Sequence, residues 1–125
     1  MDRTLEPKQK NPFFQSLRLP FKFILVIWGI HLIQLLPGID LKFLGVYPRA
    51  FFGLKGILFA PLIHADFQHL IHNSTPFFVL SVMIMFFYKR VAVRSIIMIY
   101  LLTGLSVWLF ARPVFHIGAS GVVYG

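Results

Sequence analysis

Cysteine is missing from all 125 residues. That excludes a disulfide framework and any thiolate-held metal. Charge is scarce as well: 13% of residues, with four acids against twelve bases. An ordinary soluble domain carries about 25% charged and about 45–50% apolar residues. Here 58% are hydrophobic, fifteen of them phenylalanine. So small a soluble core could not hide that much apolar surface, and the bilayer is the solvent it implies. A formal charge of +8 would suit nucleic acid if the cations formed a patch or stripe. They stand instead at the ends of apolar runs, as topology signals do, so no nucleic-acid partner is expected. There is no internal repeat and no low-complexity tract.

Residues 1–20 are polar and basic, with Arg3, Lys8, Lys10 and Arg18 among three prolines, and read as a short cytoplasmic tail that ends in an interfacial piece. "FKFILVIWGIHLIQLL", 21–36, is the first expected span; Lys22 can snorkel its ammonium to the headgroups. The run exceeds a signal-peptide core of about 7–15 residues and no small-x-small site follows, so a retained helix is expected. Residues 37–66 mix prolines, glycines and scattered charges with many Phe, Leu and Ile. That argues against one continuous helix and for broken short helices lying in the membrane interface. Further spans are expected at about 67–88 and 94–111, with a fourth helix starting near 119. The fold class is therefore all-α: a polytopic membrane helix bundle with three transmembrane helices and the start of a fourth.

Lysine and arginine counts orient it. Five lie in the tail through Lys22, three in the tight 89–94 turn, and three across the thirty residues of 37–66. The N-terminus and the 89–94 turn are expected on the cytoplasmic side, with 37–66 facing outward.

Two polar clusters interrupt the apolar runs. In "HADFQHLIHNSTP", His69 and Asn73 are four apart and share a helix face, with His72 beside them and His64 near the helix start. Such convergent donors suit an oxyanion. Interhelical hydrogen bonding is an equal alternative. Metal binding is a third, but no glutamate accompanies the histidines in a usual spacing, and no metal or cofactor is expected. In "HIGASGVVYG", Ser120 stands among Gly118, Ala119 and Gly121. Gly121 and Gly125 form G-x-x-x-G, which by itself reads as close helix packing. The soluble-hydrolase elbow is excluded, because it needs glycine where Val122 stands.

Taken together the clusters resemble the rhomboid family of intramembrane serine proteases. The resemblance runs from about 21 to 125 and rests on H-x4-H-x3-N (His64, His69, Asn73), then G-x-S-G (Gly118 to Gly121), with Tyr124 four residues after the serine. "LGVYPR" and "APLIHADFQHLIHNS" also look like the family's first outer loop running into its second helix. The resemblance implies Ser120 as nucleophile, and His69 and Asn73, with the Ser120 backbone N–H, as the oxyanion hole. It implies His64 near the active-site water, Tyr124 packed against the catalytic histidine, Gly118 beside the substrate, and Gly121 allowing close helix approach. It further implies serine-type cleavage of transmembrane protein substrates near the outer face, in an integral membrane protein of the bacterial inner membrane type.

The family's base is a histidine on a sixth helix, which these 125 residues do not contain. They are expected to be inert alone and to need the C-terminal helices of the same protein. Two other functions remain open. One is a non-catalytic binder of client helices. The other is a transporter fragment in which the His/Asn stripe lines a proton or metal path.

Overall fold

The computed structural model describes residues 10–124, and of Tyr124 only the backbone. Most of the basic tail, residues 1–9, lies outside the described residues. Three long helices dominate: α1 (Pro12–Gln34), α3 (Phe67–Phe87) and α4 (Lys89–Phe110). Short pieces connect α1 to α3: 3-10 turns at Lys42–Leu44, Phe51–Gly53 and Ala60–Leu62, and a one-turn helix α2 (Gly56–Phe59). The chain ends in α5 (Ser120–Tyr124).

The long helices have 23, 21 and 22 residues. At 1.5 Å per residue that is about 32–35 Å, enough for a hydrocarbon core of roughly 30 Å. All three are apolar enough to cross a membrane. Leu25, Val79, Met83, Ile97, Leu102 and Leu105 lie more than 40% exposed along them. That surface requires lipid, and helices satisfy the backbone within it. The protein is an integral membrane protein.

Two helix starts differ from expectation. α1 begins at Pro12 rather than near 21. The Asn11 side chain accepts from the Phe13 N–H at 3.0 Å, and Pro12 occupies the first turn, where its missing N–H costs nothing. The stretch 12–20 thus forms the helix's first turns and is not a tail. α4 begins at Lys89 rather than 94. Tyr88 alone separates it from α3, so the three cations expected in a turn ride on the first turns of a helix.

α1 and α3 pack antiparallel. Phe13 meets Phe86, Phe23 meets Phe77 at 4.4 Å between centroids, and His31 meets Phe67 at 4.6 Å. The Trp28 indole N–H donates to Ser74 Oγ at 3.0 Å, and Ser74 donates onward to the Leu70 carbonyl. α4 runs back along α3, and the 45–62 segment lies on its C-terminal half. There the Trp108 indole N–H donates to the Ala50 carbonyl, the Tyr100 hydroxyl to the Leu58 carbonyl, and Arg49 Nη1 to the carbonyls of Leu109 and Ala111. Arg49 thereby closes the C-terminal end of α4, whose last carbonyls have no partner within the helix. The loop is therefore bolted to the bundle rather than free.

Candidate active site

The site begins with a helix cap. Asp66 Oδ1 accepts the His69 backbone N–H at 2.8 Å, which starts α3 at Phe67 and sets its phase. Leu70, Asn73 and Phe77 then turn into the bundle, with His69 half-buried beside them, while His72 faces outward. Asn73 is 5% exposed, and its amide Nδ2 is buried with no hydrogen-bond partner. A buried donor left unmade costs about 1–3 kcal/mol. It is a feature that needs a reason.

Residues 116–119 are pinned to the preceding loop through the backbone. His116 and Val46 exchange two N–H···O bonds of 2.9 Å as an isolated antiparallel bridge. The Gly118 N–H donates to the Ala60 carbonyl at 2.8 Å, and the Ala119 N–H to His64 Nε2 at 3.3 Å. Four bonds in four residues leave this stretch little freedom, and they deliver Ser120 as the first residue of α5. Thr103 Oγ1 of α4 donates to the Gly121 carbonyl at 3.3 Å, and Gly121 lies so close to Thr103 that a Cβ would collide with it.

Gly118 joins the two sequence clusters. Its φ of +103° is one that only glycine holds without strain. A Cβ built there would stand 2.5 Å from His69 Cε1, 2.6 Å from His69 Nε2 and 3.4 Å from Asn73 Nδ2. The backbone two residues before Ser120 therefore rests on the imidazole and the carboxamide of α3. Ser120 itself helps to wall a cavity of about 230 Å³, with Tyr100, Thr103, His116, Gly118 and Gly121. Neither His69 nor Asn73 lines that cavity; they reach the segment through Gly118. The side chain of Tyr124 lies outside the described residues.

His64 is fully buried, outside the spans. Burial pushes its pKa down to about 4, helped by the nearby His69 and His31, against a smaller opposing pull from the Leu62 backbone. At neutral pH the ring is uncharged. Because Nε2 accepts from Ala119, the proton sits on Nδ1. His64 and His69 stand edge to face, 5.1 Å apart. Among the described residues no three His, Cys, Asp or Glu side chains are placed to hold a metal ion. His116 is engaged elsewhere, with Nε2 3.0 Å from the Arg112 carbonyl.

Two contributors escaped sequence reasoning. His31, 3% exposed on α1, could have been flagged as an ionisable residue inside an apolar span. The Ala60 carbonyl had no signal at all.

A model of the Rhomboid domain matches residues 52–125. Uncharacterized proteins of Mycobacterium bovis and Mycobacterium tuberculosis are each 35% identical over 109 residues, covering 82% of this chain and 45% of theirs. One of Mycobacterium leprae is 35% identical over 78 residues, 58% of this chain and 31% of its own length. The chain thus spans less than half the length of these curated relatives. No solved structure matches. The matched stretch begins in the loop packed on α4 and runs through α3, α4 and the Gly118–Gly121 segment, and on that match the chain belongs to the rhomboid family.

Proposed function

We propose that this chain supplies the nucleophile and the oxyanion-binding half of an intramembrane serine endopeptidase of the rhomboid type. Ser120 attacks the scissile carbonyl of a transmembrane substrate near the outer face. The Asn73 amide, His69 and the Ser120 N–H stabilise the oxyanion that forms. A serine hydroxyl is a weak nucleophile until a base takes its proton, and this reading assigns that base to a histidine outside these 125 residues. The supporting observation is the Asn73 amide: buried, unpaired, and held against the backbone that leads into Ser120. A donor kept without an acceptor in the ground state is what a transition-state oxyanion site requires.

We further propose that the N-terminus faces the cytoplasm and that the membrane is a bacterial inner membrane. Lys89 Nζ donates to Gln15 Oε1 at 3.0 Å. That gathers Lys10, Arg18, Lys22, Lys89, Arg90 and Arg94 toward one end of the bundle, as the positive-inside rule asks. The other end carries Ser120.

The test is cleavage of a transmembrane reporter by the full-length protein in liposomes, with fluorophosphonate labelling alongside. Ser120→Ala should abolish both cleavage and labelling. His69→Ala should reduce cleavage less severely, and the isolated 125-residue chain should not label. Cleavage that survives Ser120→Ala overturns the proposal. Proton or metal flux lost in His69→Ala and intact in Ser120→Ala would indicate a transport path instead.

A further inference from the structure

Away from Ser120, a cleft of about 380 Å³ opens between α1 and α4, with walls that are almost wholly apolar. Leu19 and Phe23 of α1 face Ile97 and Leu101 of α4 across it, and Leu58 of α2 also lines it. The bond from the Tyr100 hydroxyl to the Leu58 carbonyl satisfies the polar groups where α2 meets α4. On α4 the lining positions are 93, 96, 97, 100 and 101, the three-and-four spacing of one helix stripe.

Lys89 and Arg90 continue that stripe by one further turn, and both are exposed. Lys89 reaches across to Gln15 of α1, so a cation bridges the two helices that form the cleft. Among the described residues no acid stands at this end of the bundle to offset the charge. The first turn of α4 holds no acid, and its N-cap Tyr88 makes no side-chain capping bond. The positive end of a 22-residue helix adds to the two side chains.

We propose that the cleft binds one anionic phospholipid, with an acyl chain in the apolar slot and its phosphate at Lys89 and Arg90. Basic sites between transmembrane helices hold anionic headgroups in this way, and the volume lies at the lower end of the roughly 300–1,000 Å³ typical of small-ligand pockets. A docked helix, about 10–12 Å across, would fill an apolar slot but bring no anion to its charged end. The inference needs only the membrane reading of the helices and is independent of the protease reading.

The experiment is native mass spectrometry of the delipidated full-length protein, titrated with phosphatidylglycerol and with phosphatidylcholine of identical chains. Phosphatidylglycerol should bind at least tenfold more tightly. Lys89→Gln and Arg90→Gln should each weaken it about fivefold and weaken phosphatidylcholine, whose phosphate is offset by its choline, by less. Arg90→Gln is the cleaner variant, since Arg90 makes no side-chain hydrogen bond among the described residues while Lys89 holds Gln15. A benzophenone amino acid at position 97 should crosslink to lipid in vesicles. Equal binding of the two lipids, an undiminished preference in Arg90→Gln, or a crosslink to a second copy or another protein segment overturns the proposal.

Discussion

Gly118→Ala is the sharpest perturbation of the site, because its cost separates into two parts. The first is backbone strain. A residue with a Cβ held at positive φ costs about 1–2 kcal/mol. The second is collision. The new methyl would stand 2.5 Å from His69 Cε1 and 2.6 Å from Nε2, where carbon contacts settle near 3.5–4.0 Å. The imidazole or the 116–119 backbone must yield by about 1 Å. Overpacking of this kind costs about 1–3 kcal/mol, and, on the proposed protease reading, a displacement of that size at a group that binds the oxyanion costs about 100-fold in rate. Gly38 supplies the control: its φ is +79°, yet a Cβ there meets nothing within 4 Å. Gly38→Ala therefore carries strain without collision. In the full-length protein, thermal unfolding in detergent should show both variants destabilised, Gly118→Ala by about 2–5 kcal/mol and Gly38→Ala by about 1–2 kcal/mol. Reporter cleavage measured well below both melting temperatures should fall about 100-fold in Gly118→Ala alone. Cleavage by Gly118→Ala within twofold of the parent would refute the placement of His69 and Asn73 against this backbone.

Asn73→Leu, nearly isosteric, removes a buried donor that has no partner. Stability in detergent should hold or rise by up to about 1–3 kcal/mol, while cleavage falls about 10²–10³-fold. His64 carries a pH signature. Its folded pKa is lowered to about 4 from 6.5, so the unfolded chain takes up the proton first as pH falls. Its contribution is whole above about pH 6.5 and is lost progressively toward pH 4. Unfolding followed across that window should lose part of its pH slope in His64→Gln. Arg49→Ala removes two bonds to the carbonyls ending α4 and should lower stability by about 1–2 kcal/mol. Lysine, lacking the planar fork, should restore only part of it.

The three long helices were legible because an unbroken apolar run at membrane length has few other readings. Their starts were less so. Asn11-Pro12 is a helix-start signal, but it stands between Lys8, Lys10 and Arg18, basic residues that read as tail. Lys89, Arg90 and Arg94 at the N-terminal end of α4 oppose the helix dipole, so the sequence favours a turn there. The junction is one residue, Tyr88, and Lys89 finds its polar partner, Gln15, on α1. The broken character of 37–66 was readable from its prolines and glycines. Within the site, the His69–Asn73 face follows from a spacing of four. The bond from Ala119 to His64 spans 55 residues, and no periodicity encodes a contact between two irregular segments.

That non-local character makes the position of Ser120 depend on the loop rather than on the helices. Residues 116–119 have no regular structure to satisfy their backbone, and their partners are Val46, Ala60 and His64. Val46→Pro tests the dependence. Proline at 46 removes the N–H that donates to the His116 carbonyl at 2.9 Å. Gly45, at φ −67° and ψ 166°, already has the extended conformation a residue before proline needs. The preceding residue need not move, but the ring Cδ takes the place of the hydrogen and collides with the His116 oxygen, so the change breaks the bridge and pushes 116 away from 46. Hydrogen exchange should accelerate across 117–121 by at least about fivefold, since the bridge bonds lost are worth about 1 kcal/mol each, while α1, α3 and α4 keep their protection. On the proposed protease reading, cleavage by the full-length protein should fall with it, since Ser120 would lose its fixed position. Unchanged exchange at 117–121 would mean that α5 is held from α4 through Thr103 and Gly121 alone, and the loop would then be a lid over the serine and not its foundation.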